Sequence, residues 1–310
     1  MSLLGFALRR VLWSVPLLLL IMLATFALLR GAGGDPFTLP EGFAGVPLPV
    51  ERELREYWRI DEPWLVEFLN YVNHAATFDF GPSLNRRGLL VDTVIEQSLP
   101  VTAQLVALAS LVAIPVGLAL GLLGALRRRT PVDTATTTFS SVLLVVPVFF
   151  VAWVLSRYPA LEWRWFPLGW ESWDARLLPV LTLSLAPAGY IARLVRATVV
   201  ETLGEDYVRT ARAKGLRRDR VVLVHVLRNS LVPVLSAVVP MLALLVTGAF
   251  FVEEYFGVPG ASNAFLTAAR VRDFPMLMGL TVVLAAIVIA INLVTDVLIA
   301  ILDSRVRERL

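Results

Sequence analysis

Cysteine is missing from all 310 residues, and with it any disulfide frame or thiolate metal site. Histidine is nearly missing: only His74 and His225 occur, and both fall outside the long apolar runs, so a histidine metal site or proton relay inside a membrane is excluded. Lysine occurs once, as Lys214, and no Gly-x-x-x-x-Gly-Lys-Ser/Thr phosphate loop surrounds it, so the chain is not itself an ATPase. Charge is scarce as well, at 17% of residues against 57% hydrophobic, a balance foreign to soluble domains.

The places where charge is absent define the architecture. Val11 to Leu29, Leu99 to Leu126, Thr134 to Ser156, Asn229 to Val252 and Phe274 to Thr295 contain no Asp, Glu, Lys or Arg. Each is long enough to cross about 30 Å of hydrocarbon as a helix. Leu177 to Ala192 is a shorter sixth run, which extends through Val200 if Arg193 and Arg196 snorkel or face a protein partner. The expectation is an all-α membrane protein with six transmembrane helices. The first run follows Arg9 and Arg10 as a signal peptide would, but it is long for an apolar h-region, and Leu28-Leu29-Arg30 offers no small-residue cleavage site. It is expected to be retained.

Basic residues set the orientation, because cytoplasmic loops keep an arginine and lysine excess. Arg9 and Arg10, Arg127 to Arg129, the cluster from Arg209 to Arg228, and Arg305, Arg307 and Arg309 all fall on one side of a six-span chain. Both termini are then cytoplasmic. The resulting division is a first transmembrane helix over 1–30, an external segment over 31–98, a five-helix core over 99–303 with a cytoplasmic helix at about 201–220 between helices four and five, and a tail over 304–310. Trp163, Trp165, Trp170 and Trp173 are expected to anchor an external loop at the membrane interface.

Two patterns of small residues point to close packing. Ala109, Ala113, Gly117, Gly121 and Ala125 recur every four residues along the second span, which lets another helix backbone approach. On a helix, Gly204, Val208, Ala211 and Gly215 share one face and suit a partner's groove. Glu205 and Arg209 are one turn apart, and Gly215 is placed to end the helix in a left-handed turn.

The run Glu205-Asp-Tyr-Val-Arg-Thr-Ala-Arg-Ala-Lys-Gly215, followed after nine residues by His225-Val-Leu-Arg-Asn-Ser-Leu-Val-Pro233, resembles the cytoplasmic coupling motif of ABC importer permeases. The branch it resembles is the dipeptide/oligopeptide/nickel one, in its B-type subunit. Arg30-Gly-Ala-Gly-Gly-Asp-Pro36, Asp61-Glu-Pro63, Asp79-Phe-Gly81-Pro-Ser83, Phe256-Gly-Val-Pro-Gly260, Arg272-Asp-Phe-Pro275 and Asp303-Ser-Arg305-Val-Arg307 extend the resemblance over nearly the whole chain. The wider family's Glu-Ala-Ala is replaced by Arg209-Thr210-Ala211, and Ser262 stands where glycine is usual.

That resemblance implies a non-enzymatic permease subunit that forms half of a translocation pathway. Its implied partners are a second homologous permease, two ABC ATPases, an extracytoplasmic solute-binding protein and membrane lipid, with no nucleic acid. ATP and magnesium would be bound by the ATPases, and this chain would hold neither cofactor nor metal. Gly204, Glu205, Asp206, Tyr207, Val208, Arg209, Thr210, Ala211, Ala213, Lys214 and Gly215 would couple it to the ATPases. Peptides are the implied cargo, with nickel chelates, glycans or another small solute as alternatives; no substrate-contacting residue is identified. An ion-gradient-driven transporter is disfavoured because Asp296, Arg193 and Arg196 are the nearest ionisable groups to the midplane, all toward the cytoplasmic ends of their spans. An intramembrane enzyme lacks a base to activate its serines.

Overall fold

A computed structural model describes residues 3–31, 37, 47–84 and 88–302. The glycine-rich stretch after Arg30 and the Asp303 to Arg307 motif lie, apart from Gly31, outside the described residues, as does the 304–310 tail. The described residues are overwhelmingly helical, in the order α1 (Leu3–Gly31), α2 (Leu48–Trp58), α3 (Trp64–Thr77), α4 (Val91–Leu126), α5 (Pro131–Val145), α6 (Val148–Leu155), α7 (Trp173–Thr202), α8 (Asp206–Ala213), α9 (Arg218–Arg220), α10 (Leu227–Phe256), α11 (Ala261–Arg270) and α12 (Phe274–Leu302). Two π-helical segments, Ser156–Glu162 and Val221–Val226, continue α6 and lead into α10.

Among the described residues, five stretches are long and apolar enough to cross a membrane: Leu8–Gly31, Val91–Leu126, Trp173–Thr202, Val221–Val238 and Phe274–Val297. A sixth exists if Pro131–Val145 and Val148–Glu162, which meet at 93°, form one broken span. The uninterrupted run read from Thr134 to Ser156 is therefore two helices. Pro147 explains the break: it cannot donate to the ladder, and it forces Val146 out of the helical region, to φ −68° and ψ 122°.

The chain forms two compact units, Met1–Thr102 with Pro259–Leu293, and Ala103–Val258 with Val294–Leu310. In the first, α2 and α3 close over an aromatic cluster. Trp58 is buried and stacks on Tyr71 at 4.9 Å, while Phe26 of α1 meets Phe68 and Tyr71 at 5.5 and 5.9 Å. Arg30 at the end of α1 pairs with the buried carboxylate of Glu67. Gly81 takes a left-handed φ of +63°, and a Cβ there would strike Tyr57 and Trp58, so the loop seats against the cluster only with glycine.

In the second unit, α5, α7 and α10 pack together and α6 lies on α7 and α10. Arg196 of α7 holds Asp133 of α5 through two hydrogen bonds of 2.6 and 3.0 Å. The arginine expected to snorkel or to face a partner thus has its partner in this chain. Trp170 also departs from the interfacial role expected of it: it is buried, donating from Nε1 to Gln104 Oε1 at 3.0 Å, whereas Trp163, Trp165 and Trp173 are exposed.

Candidate functional site

The segment joining α7 to α10 is built by a series of local signals. After Thr202 the chain turns through Gly204, whose N–H donates to Glu201 O at 2.9 Å. Glu205 is extended, with φ −69° and ψ 147°, and its carbonyl accepts from Val208 and Arg209, which starts α8. Asp206 adds a negative charge to the first turn and Arg212 a positive one to the last, both favourable to the helix dipole. The exposed Arg209 side chain reaches Asp206 at 3.5 Å, not Glu205.

The end of α8 is a Schellman motif. Gly215 N donates to Arg212 O at 2.9 Å, and Leu216 N to Ala211 O at 3.4 Å. Gly215 has φ +77°, and nothing lies within 4 Å of where its Cβ would be. Its glycine is required by backbone conformation alone, not by a neighbour's approach.

The small-residue face of α8 is already covered by the chain itself. Val208 is fully buried and Ala211 is 6% exposed, in a cluster with Val195, Val199, Val221, Val226 and Leu216. Gly204 and Gly215 at its ends stay exposed. The face left open holds Tyr207, Arg209, Thr210, Ala213 and Lys214. Arg209, Arg212, Lys214, Arg217 and Arg220 are exposed against Glu205, Asp206 and Asp219, so this exposed surface is cationic. Of the groove-filling stripe read from the sequence, Val208 and Ala211 are thus the inner face of the helix, and the outer face is basic and polar.

Sequence reasoning missed how α8 is joined to α10. Asn229 Nδ2 donates to Tyr207 Oη at 2.9 Å and to His225 O at 3.2 Å. His225, read from the sequence as outside the apolar runs, lies in the π-helical turn that leads into α10 and within the candidate span Val221–Val238. His74 sits in α3, with Nδ1 3.0 Å from Asp79 O. Tyr207 and Asn229 are 22 positions apart with no shared periodicity, so nothing in the sequence pairs them.

In the α4 ladder, Ala109 and Ala113 are fully buried and Ala125 nearly so. A Cβ on Gly117 would fall 2.6 Å from Ile191 Cβ, and one on Gly121 2.6 Å from Ala192 O. The backbone that approaches these glycines is α7 of the same chain. Among the described residues, no group of three or more His, Cys, Asp or Glu side chains is arranged to hold a metal ion.

Known proteins resemble this chain in sequence and in fold. A dipeptide transport system permease protein, DppB, of Bacillus subtilis is 34% identical over 291 residues, covering 94% of both chains. An oligopeptide transport system permease protein, OppB, of Salmonella typhimurium is 34% identical over 307 residues, covering 98% of this chain and 99% of its own. Among solved structures, an inward-facing form of the MetNI methionine ABC transporter aligns with a TM-score of 0.58 at 16% identity, over 68% of this chain and 96% of that one. An amino acid ABC transporter aligns with a TM-score of 0.54, also at 16% identity, over 69% and 94%. Residues 113–308 match the family described as binding-protein-dependent transport system inner membrane component, and the chain belongs to that family.

Proposed function

We propose that this chain is the permease subunit of an ATP-driven importer of peptides, coupled through α8 to cytoplasmic ATPases that it does not itself replace. The relatives' names support peptide cargo, since one is a dipeptide and the other an oligopeptide permease. Nickel chelates, glycans or another small solute remain the alternatives within the same importer class. On this reading the bent pair α5 and α6 is one broken span, giving six spans, and the arginine-rich stretches support both termini, α8 and the Arg127 to Arg129 turn being cytoplasmic. The segment over 31–98 is then external and available to a solute-binding protein.

The observation that carries the reading is the division of α8 into two faces. Val208 and Ala211 are held by the chain's own core, so a force on the outer residues reaches α7 and α10 without loss in a loose loop. Tyr207, Arg209, Thr210, Ala213 and Lys214 are the face that meets an ATPase, with Glu205 and Asp206 at its entry and Gly204 and Gly215 setting its two ends. ATP and magnesium act in the ATPases, where nucleotide shifts the permease between states only by its differential affinity for them. A second homologous permease completes the pathway, and lipid surrounds the pair.

Photo-crosslinkers placed at Thr210 and, as an inward control, at Val208 test this in the assembled transporter. Thr210 should capture an ATPase and Val208 should not. Proteoliposomes containing the complex should take up peptide when supplied with loaded binding protein and ATP. Uptake driven by an ion gradient with no ATPase present would defeat the proposal.

A further inference from the structure

The head of α10 is unusual. Val221–Val226 is a π-helical turn, in which the Leu227 N–H bonds to Val222 O five residues back. Such a turn contains one residue more than an α-helical turn and is bonded less well, so it is where a helix can gain or lose register at little cost. The turn touches α8 in two ways. Val221 and Val226 share a buried cluster with Val208 and Ala211 on the apolar side. On the polar side, the Asn229 amide donates both to Tyr207 Oη of α8 and to the carbonyl of His225 within the turn.

We propose that Asn229 is a positioning residue that ties α8 to this turn, so that displacement of α8 is passed on there as a change of register at the head of α10. Moving Tyr207 outward either breaks its bond with Asn229 or draws the amide away from His225 O. In the second case the π turn loses the side-chain bond that holds its carbonyl, and the α and π arrangements become closer in free energy. The apolar cluster keeps α8 in contact with the turn while it shifts, because dispersion contacts tolerate small sliding that a hydrogen bond does not. The inference rests on the importer reading above, but its test separates the two.

In the reconstituted permease and ATPase complex, the quantity to measure is substrate transported per ATP hydrolysed. Asn229→Ala should assemble normally and lower that ratio about fivefold, the scale of one net hydrogen bond. Tyr207→Phe removes a single oxygen and should lower it equally, and the double variant should be no worse than either single one. Because the chain has no cysteine, a Tyr207→Cys and Asn229→Cys pair gives a unique attachment for a short bifunctional thiol reagent. Bridging the pair should restore the ratio lost in the unbridged form. Wild-type coupling in Tyr207→Phe, additive losses in the double variant, or a bridged pair still uncoupled would each overturn the inference. Failure of the wild-type chain to bind any ATPase would instead overturn the importer reading.

Discussion

Ser83 donates its hydroxyl to the buried carboxylate of Asp273 across 190 positions of sequence. The same carboxylate accepts from Leu84 N at 3.2 Å and from Met276 N at 3.3 Å. Asp273 thus caps α12 and pins the 79–84 loop to it, although each function alone would need only part of its acceptor capacity. Replacing it with alanine leaves buried donors without their acceptor. Asp273→Ala should therefore destabilise the chain by about 2–4 kcal/mol, with Asp273→Asn milder, read as a fall in Tm in detergent. An unchanged Tm in the alanine variant would show that the loop is held elsewhere.

The α4 glycines make a steric prediction. At Gly121 even a methyl group would fall 2.6 Å from Ala192 O, a backbone atom that cannot move without α7. Gly121→Ala should cost about 1–3 kcal/mol, and Gly121→Leu should abolish stable expression. The control is Gly31→Ala, where nothing lies within 4 Å of the added carbon. If Gly121→Ala and Gly31→Ala behave alike, α4 and α7 are not packed this closely.

Ala211→Trp separates the two faces of α8. Since Ala211 is buried against the chain's own residues, a bulky ring there should lower the Tm of the permease alone, with no ATPase present. Gly215→Ala should act differently: it meets no neighbour, but a left-handed φ costs an L-residue about 1–2 kcal/mol, so the end of α8 should fray. Lys214→Glu, on the outer face, should leave Tm unchanged and weaken ATPase association only.

Much of this architecture was legible in the sequence because an absence of charge is unambiguous: apart from the break at Val146 and Pro147, each long run without ionisable residues is helical in the structure, and α7 extends through Val200 as its flanking apolar residues implied. The bend at Pro147 was not legible, since a proline near the middle of an apolar run is equally compatible with a kink and with a break. Small residues at helical spacing signal close approach but not what approaches. For Gly117 and Gly121, as for Val208 and Ala211, the neighbour proved to be this chain. Trp170 and Asn229 escaped because their partners, Gln104 and Tyr207, are distant in sequence and belong to no periodic pattern.

Glu67 makes the stability of the first unit depend on pH. Burial pushes its carboxyl up to about 7 from 4.5, opposed by the Arg30 guanidinium and reinforced by Asp61. Between these two values the folded chain binds a proton that the unfolded chain has released, so stability falls as pH rises through the window. The contribution is present in full below about pH 4.5 and gone above about pH 7. Glu67→Gln, which stays neutral, should flatten the slope of Tm against pH over this range. A slope that persists in the variant would place the titrating group elsewhere.

The Asp133 and Arg196 pair, which joins the start of α5 to the C-terminal half of α7, yields the most discriminating exchange. Asp133 is buried, with both carboxylate oxygens accepting from Arg196, one from the Arg129 N–H at 2.9 Å and the other from Thr137 Oγ1 at 3.4 Å. Removing Arg196 strands a buried carboxylate, so Arg196→Ala should cost about 2–4 kcal/mol, whereas Asp133→Ala leaves an arginine that is 31% exposed and should cost less. Reversing both, as Asp133→Arg with Arg196→Asp, restores the attraction but not the hydrogen bonds from Arg129 and Thr137, which need an acceptor on α5. The reversed pair should thus recover part of the loss and no more. Full recovery of Tm would mean that attraction between the two helices is what matters at this site; no recovery would mean that Asp133 serves mainly to cap the start of α5.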